Sequence, residues 1–273
     1  MKNMTIGFIG GGNMARSLIG GLINSGMPPA SIHVYDIDET CLQQLHGDLN
    51  ITTQDSNQAV IDQAEVIVLA IKPQVMKPVI SSITPPSVAN KLLLSIAAGI
   101  QTTAIQRWVG LECAIVRAMP NTPALVQSGA TGLYANPQVS DEQKDLAESI
   151  LRAVGLTLWV DDEAQLDAVT ALSGSGPAYF FLVMEAMEQA GRQLGLSAEA
   201  ARLLTVQTAF GASKLALEIE EDPAVLRQRV TSPGGTTEKA IQVLQQQQLA
   251  AIFEQALTAA RDRAVELAEQ LGQ

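Results

Sequence analysis

The six residues Ser232-Pro233-Gly234-Gly235-Thr236-Thr237 put hydroxyls, glycines and a proline inside a stretch otherwise rich in Ala, Leu, Gln and Glu. Proline and adjacent glycines break one helix from the next, and a hydroxyl-rich helix start follows. Free backbone N–H groups at a helix N-terminus, beside small residues, suit a small carboxylate. The plainer alternative is an interhelical loop. A second place for chemistry is Gly10-Gly11-Gly12-Asn13-Met14-Ala15, which fits G-x-G-x-x-A between an apparent strand and a helix. Gly10 permits the tight turn, Gly12 lets the backbone approach a pyrophosphate, and Ala15 keeps helix and sheet close. Together the two segments suggest a reductase acting on a small acid.

The next strand ends at Tyr35-Asp36, with Asp38 just beyond. An acidic residue about 20 positions after the glycines binds the ribose 2′-OH of NAD. Asp36 suits that role, and Asp38 suits a helix start. No Lys or Arg occurs between Arg16 and Lys72, so a 2′-phosphate finds no cation after this strand. The local chemistry leans towards NADH, while hydroxyls, amides or distant residues leave NADPH open. Further loops fall where open α/β sheets bind ligands, at strand C-termini. These are Ala70-Ile71-Lys72-Pro73, Ala97-Ala98-Gly99 and Met119-Pro120-Asn121-Thr122-Pro123. Lys72 is either a surface lysine or a neighbour of ribose or pyrophosphate, and Asn121 is a candidate for ribose or carboxamide.

From residue 164 onward there is no His, Cys or Trp, and the unusual bases or phenols are Tyr179, Lys214 and Lys239. His33 and His46 read as structural. Hydroxy-acid oxidation needs a strong base, which this half is poorly stocked to supply. Imine reduction asks for less: a protonated C=N is already electrophilic, and the protein must place the hydride donor and hold the substrate.

The elements that must position these residues change character along the chain. Strand-like runs at 5–9, 32–35, 66–70, 92–96, 114–117 and 131–134 interleave with helices at 14–24 and 141–153, and 157–160 reads as an edge strand. This pattern predicts an α/β, doubly wound, mainly parallel sheet. Beyond Asp161-Asp162-Glu163 the chain reads as helices at 163–172, 177–194, 198–220, 223–230, 237–246 and 248–271. Ser173-Gly174-Ser175-Gly176 is one of the breaks between them. The expected domains are 1–162, Rossmann-type, and 163–273, all-α.

The 273 residues are 47% hydrophobic with net charge −11, which argues against a nucleic-acid surface or a polybasic membrane contact. The cysteines, Cys41 and Cys113, form no metal-like cluster, and no metal is expected. Met1-Lys2-Asn3-Met4-Thr5 leads straight into a strand rather than a signal peptide, and the apolar run at 177–184 is too short for a membrane span. A cytoplasmic protein is the expectation.

These segments resemble Δ1-pyrroline-5-carboxylate reductases over essentially the whole chain. The resemblance rests on Gly7-Phe8-Ile9-Gly10-Gly11-Gly12-Asn13-Met14, Ala70-Ile71-Lys72-Pro73 and Ser95-Ile96-Ala97-Ala98-Gly99. It continues through Arg117-Ala118-Met119-Pro120-Asn121-Thr122-Pro123, Leu172-Ser173-Gly174-Ser175-Gly176-Pro177-Ala178-Tyr179 and Val230-Thr231-Ser232-Pro233-Gly234-Gly235-Thr236-Thr237. The resemblance implies NAD(P)H-dependent reduction of 1-pyrroline-5-carboxylate to L-proline, the last step of proline biosynthesis. It also implies a helical dimerisation domain, with decamers of five dimers in some members. It places Ser232, Gly234, Gly235, Thr236 and Thr237 around the substrate, with Thr237 nearest the ring nitrogen. Ser175 and Gly176 close the pocket near the nicotinamide. The cofactor set is Gly10, Gly11, Gly12, Asn13, Met14, Tyr35, Asp36, Asn57, Ala70, Lys72, Pro73, Ala97, Gly99, Met119 and Asn121, with Asn57 near the adenosine ribose. Two other readings are a non-catalytic dinucleotide sensor and a β-hydroxyacid dehydrogenase. The latter places a lysine on the helix after the glycine-rich turn, and 177–194 has none.

Overall fold

A computed structural model describes residues 4–273, so Met1-Lys2-Asn3 and the reading made of them lie outside the described residues. Eight strands form one sheet: β1 (Ile6–Ile9), β2 (Ile32–Tyr35), β3 (Thr52–Thr53), β4 (Val66–Leu69), β5 (Leu92–Ser95), β6 (Ala114–Met119), β7 (Gly129–Ala135) and β8 (Gly155–Trp159). Their order is β3-β2-β1-β4-β5-β6-β7-β8. The pairings are parallel except β6 with β7. The order reverses between β1 and β4, which opens a crevice at their C-terminal ends. β8 is an edge strand, as its sequence suggests. The two-residue β3 forms the other edge and is too short to announce itself by alternation.

Alternation along the central strands divides the core into two layers. Val66, Val68, Leu92 and Leu94 pack with Leu18 and Leu22 of α1 (Asn13–Asn24). Leu45 of α2 (Glu39–Leu49) joins that layer. Ile67, Leu69 and Leu93 pack on the other side with Val60 and Ile61 of α3 (Asn57–Gln63). Met76 and Ile80 of α4 (Pro73–Ser81) and Ile105 of α5 (Thr102–Val109) complete that second layer. Ile150 and Leu151 of α6 (Asp141–Arg152) belong to the α1 side. Burial on both faces explains why β4 and β5 read as continuous apolar runs.

The chain forms two compact units, one running through Ser175 and including Ala259–Gln273, the other Gly176–Thr258. The segment 163–175 belongs with the sheet. In α7 (Gln165–Val169), Leu166 and Val169 fill the space where a Cβ on Gly132 of β7 would project. A π-helical turn, Thr170–Gly174, follows, and its Ser175 N–H donates to Thr170 O at 2.8 Å. Ser173-Gly174-Ser175-Gly176 is therefore a π turn leading into the next helix, not a break, because the widened i→i+5 bond keeps the chain coiled.

The second unit contains α8 (Gly176–Gln193), α9 (Ala198–Glu218), α10 (Pro223–Arg229), α11 (Thr236–Gln246) and the start of α12 (Leu249–Leu271). Ser197 caps α9 by accepting the Ala200 N–H at 3.2 Å, and Asp222 caps α10 by accepting that of Ala224 at 2.7 Å. No helix among the described residues is long and apolar enough to cross a membrane.

Candidate active site

The glycine-rich loop follows β1 in the crevice. Gly10 adopts φ +100°, and a Cβ there would lie 2.6 Å from the Ala70 carbonyl oxygen. Both constraints require glycine. A Cβ on Gly11 would strike Leu45 at 2.7 Å. Gly12 differs: a Cβ on it would meet nothing within 4 Å. Gly12 is also the N-cap of α1 and supplies no side-chain cap. The α1 N-terminus thus presents uncapped N–H groups beside open space, and Gly12, Asn13 and Met14 fit a dinucleotide pyrophosphate. Ala15 is buried, as close packing of helix on sheet demands.

Asp36 ties this loop to the end of β2. Its Oδ2 accepts the Gly11 N–H at 2.7 Å and its Oδ1 accepts the Asp38 N–H at 2.9 Å. Asp38 caps α2, accepting the N–H groups of Thr40 and Cys41. Beside them a cavity of about 240 Å³ is lined by Tyr35, Ser56, Asn57, Gln58, Ser82 and Ile83. The structure therefore brings Tyr35 and Asn57 together. Lys72 is exposed at the N-cap of α4, with Pro73 in its first turn. Ala97 and Gly99 are buried, and Gly99 (φ +72°) backs onto Ala268 of α12, where a Cβ would lie 3.5 Å from the Ala268 nitrogen.

Met119 and Asn121 lie at the end of β6. Asn121 Nδ2 donates to Ser173, at 3.2 Å to its carbonyl oxygen and 3.2 Å to its Oγ. Asn121 Oδ1 accepts the Ala130 N–H at 2.9 Å. Nearby, Arg117 of β6 donates to Glu163 at 2.8 Å, and Glu163 also accepts from the Thr102 N–H at 2.7 Å and hydroxyl at 2.9 Å. Glu163 thus supplies the carboxylate at the α5 N-terminus that Gln101, its N-cap residue, does not. Burial pushes the Asp167 carboxyl above its usual range, with Arg117 opposing and Glu163 adding to the effect. Tyr134 is raised by burial, then by Glu163 and Asp162. His33 is lowered by burial and accepts from Gln54 at 2.9 Å, while His46 bonds Ile51 O at 2.8 Å, so both have structural partners. No group of metal-ligating side chains exists among the described residues.

In the second unit, Ser232-Pro233-Gly234-Gly235 forms a tight turn closed by Gly235 N–H donating to Ser232 O at 3.0 Å. Proline at the second position and Gly234 at φ +73° are the signature of a type II turn. A Cβ on Gly235 would lie 2.9 Å from Ser232 O. Gly235 is also the N-cap of α11 and makes no side-chain cap. The Lys239 N–H begins the helical ladder at Gly235 O, so the Thr236, Thr237 and Glu238 amides precede it. The sequence reading missed Glu238, whose Oε2 accepts the Gly234 N–H at 2.8 Å. A carboxylate three residues into a helix, aimed back at the turn, was its available signal.

Comparison with known proteins agrees with this arrangement. Residues 163–267 match the family described as pyrroline-5-carboxylate reductase dimerisation. Residues 5–99 match NADP oxidoreductase coenzyme F420-dependent. The chain is 53% identical to a pyrroline-5-carboxylate reductase of Pseudomonas aeruginosa, covering 100% of both. It is 42% identical to that of Haemophilus influenzae, covering 98% of each. Among solved structures, the reductase of Coxiella burnetii superposes with TM-score 0.93 at 48% identity, over 97% of this chain and 99% of the other. The Plasmodium falciparum enzyme, solved with NADP bound, gives 0.87 at 29% identity, over 98% and 99%. Full-length identity, a matching dimerisation domain and a shared fold have one consequence: the chain belongs to the pyrroline-5-carboxylate reductase family.

Proposed function

We propose a division of labour for the reaction of this family, reduction of the C=N bond of 1-pyrroline-5-carboxylate to give L-proline. The domain at 1–162 holds the dinucleotide, and the helical segment at 163–273, whose residues 163–175 and 259–273 fold with the sheet, holds the substrate. When bound, the reduced nicotinamide supplies the hydride. The observation that carries the reading is the uncapped start of α11 after its type II turn. Ser232, Gly234, Gly235 and Thr236 surround the substrate carboxylate, with the amides at the start of α11 as its donors because Glu238 and Ser232 take the Gly234 and Gly235 N–H groups, and the Thr237 hydroxyl meets the ring nitrogen. Ser175 and Gly176 close the pocket, and Met119 borders the nicotinamide. Placement and orientation, rather than a strong base, are what an already electrophilic iminium requires.

The cofactor we favour is NADH. Asp36 adds a carboxylate rather than a cation beside the glycine loop, and Arg16, the nearest preceding cation in sequence, is paired with Asp48. The assembly we favour is a cytoplasmic homodimer through the helical domain, with decamers of five dimers as in the family. Free thiols at Cys41 and Cys113 suit a reducing compartment. The test is steady-state oxidation of NADH and NADPH with pyrroline-5-carboxylate. Thr237→Ala lowers kcat/KM about tenfold or more, with the dinucleotide Kd unchanged. Wild-type kinetics in that variant remove Thr237 from the site, and a strong NADPH preference overturns the role of Asp36.

A further inference from the structure

The Asn121 side chain joins three pieces of backbone, one nine residues on and one 52 residues on. It accepts from Ala130 N–H at the start of β7 and donates to Ser173 in the π turn, while itself following β6. The orientation of the amide is forced. A backbone N–H can only donate and a carbonyl can only accept, so Oδ1 must face Ala130 and Nδ2 must face Ser173 O. The Ser173 hydroxyl adds a fourth contact, to Ala130 O at 3.4 Å. On the same turn, the Met119 methyl fills the space a Cβ on Gly174 would need. Two residues past the clamped Ser173 carbonyl comes Ser175, whose N–H closes the π turn on Thr170.

We propose that Asn121 is a positioning residue that fixes Ser175 for substrate by clamping the π turn to the loop after β6, rather than a ligand of the dinucleotide. The proposal rests on the reading that Ser175 contacts substrate. Few other side chains can replace the amide: aspartate keeps the acceptor for Ala130 and lacks the donor for Ser173 when ionised, and leucine keeps neither. Ser173→Ala removes the hydroxyl and leaves the carbonyl contact, so its effect is smaller.

A double-mutant cycle tests the proposal. KM for pyrroline-5-carboxylate, kcat, and the reduced-dinucleotide Kd without substrate are measured for Asn121→Asp, Ser175→Ala and the pair. Expected are a rise in KM of about tenfold in each single variant, a dinucleotide Kd within about twofold of wild type, and a double variant no worse than Ser175→Ala alone. A raised dinucleotide Kd with unchanged substrate KM in Asn121→Asp overturns the proposal and makes Asn121 a cofactor ligand. Additive effects overturn it as well, because Asn121 then acts independently of Ser175. A wild-type KM in Ser175→Ala instead removes the premise that Ser175 contacts substrate. Asn121→Asp is chosen over Asn121→Ala because it retains the Ala130 bond and so preserves the fold.

Discussion

The two units solve the burial problem in opposite ways. In the first, the side chains of β1, β4 and β5 are almost wholly buried between helices on both faces of the sheet. In the second, Phe180 and Phe181 of α8, Phe210 of α9 and Leu217 are 62%, 63%, 60% and 84% exposed within one chain. Its buried side chains within α9 are Ala201 and Thr205. A monomeric surface rarely keeps so many large apolar groups in water, and each buries favourably when covered. The first unit completes its core within the chain. The second leaves an apolar surface exposed within one chain, in the segment that matches the dimerisation family.

Phe210→Asp should break this contrast most strongly, by placing a charge on that apolar surface. The expected outcome is loss of the assembly in sedimentation or light scattering, with activity reduced about a hundredfold or more. Dinucleotide affinity should persist, because the glycine loop and its Asp36 tie lie within the first unit. An unchanged molar mass would show that this position lies outside the interface.

A smaller effect is expected in the first unit from Glu163→Gln. The Arg117 and Glu163 side chains are 7% and 17% exposed, and removing the negative charge leaves a nearly buried guanidinium unbalanced. Removing one member of a buried pair costs about 3–5 kcal/mol, and residual exposure lowers the expectation here to about 2 kcal/mol. Urea denaturation at neutral pH measures it. A change below about 0.5 kcal/mol would mean the carboxylate contributes only as a hydrogen-bond acceptor.

The same contact marks the limit of what sequence reveals. The apolar runs of β4 and β5 and the glycine loop were legible because each is a local pattern. The turn before α11 was legible for the same reason, since Pro233 and Gly234 encode it almost alone. Glu163 reaches Thr102 across 61 positions and Asn121 reaches Ser173 across 52, so neither pairing leaves a local trace. The π turn was hidden because Ser173-Gly174-Ser175-Gly176 has the composition of a helix break, while the i→i+5 bond from Ser175 to Thr170 that keeps it coiled leaves no local pattern. Asn121 could be placed in a ligand-facing loop from sequence, but its commitment to Ser173 required the fold.

Asp167 offers the smallest and most local test of the first unit. Burial is the largest cause of its raised pKa, above the usual value of 3.8, and Arg117 only partly offsets it. The folded protein therefore holds this proton at a pH where the unfolded chain has released it. Stability is lost as pH rises from about 3.8 through the raised pKa, and the deficit is constant above it. Asp167→Asn, neutral throughout, should raise Tm at pH 7 on the order of 1 °C, the gain shrinking as pH falls towards 4. Thermal melts of both proteins across that range measure the difference. A gain that grows on acidification would mean that Arg117, and not desolvation, dominates the environment of Asp167, and that this end of the sheet is held by charge more than by burial.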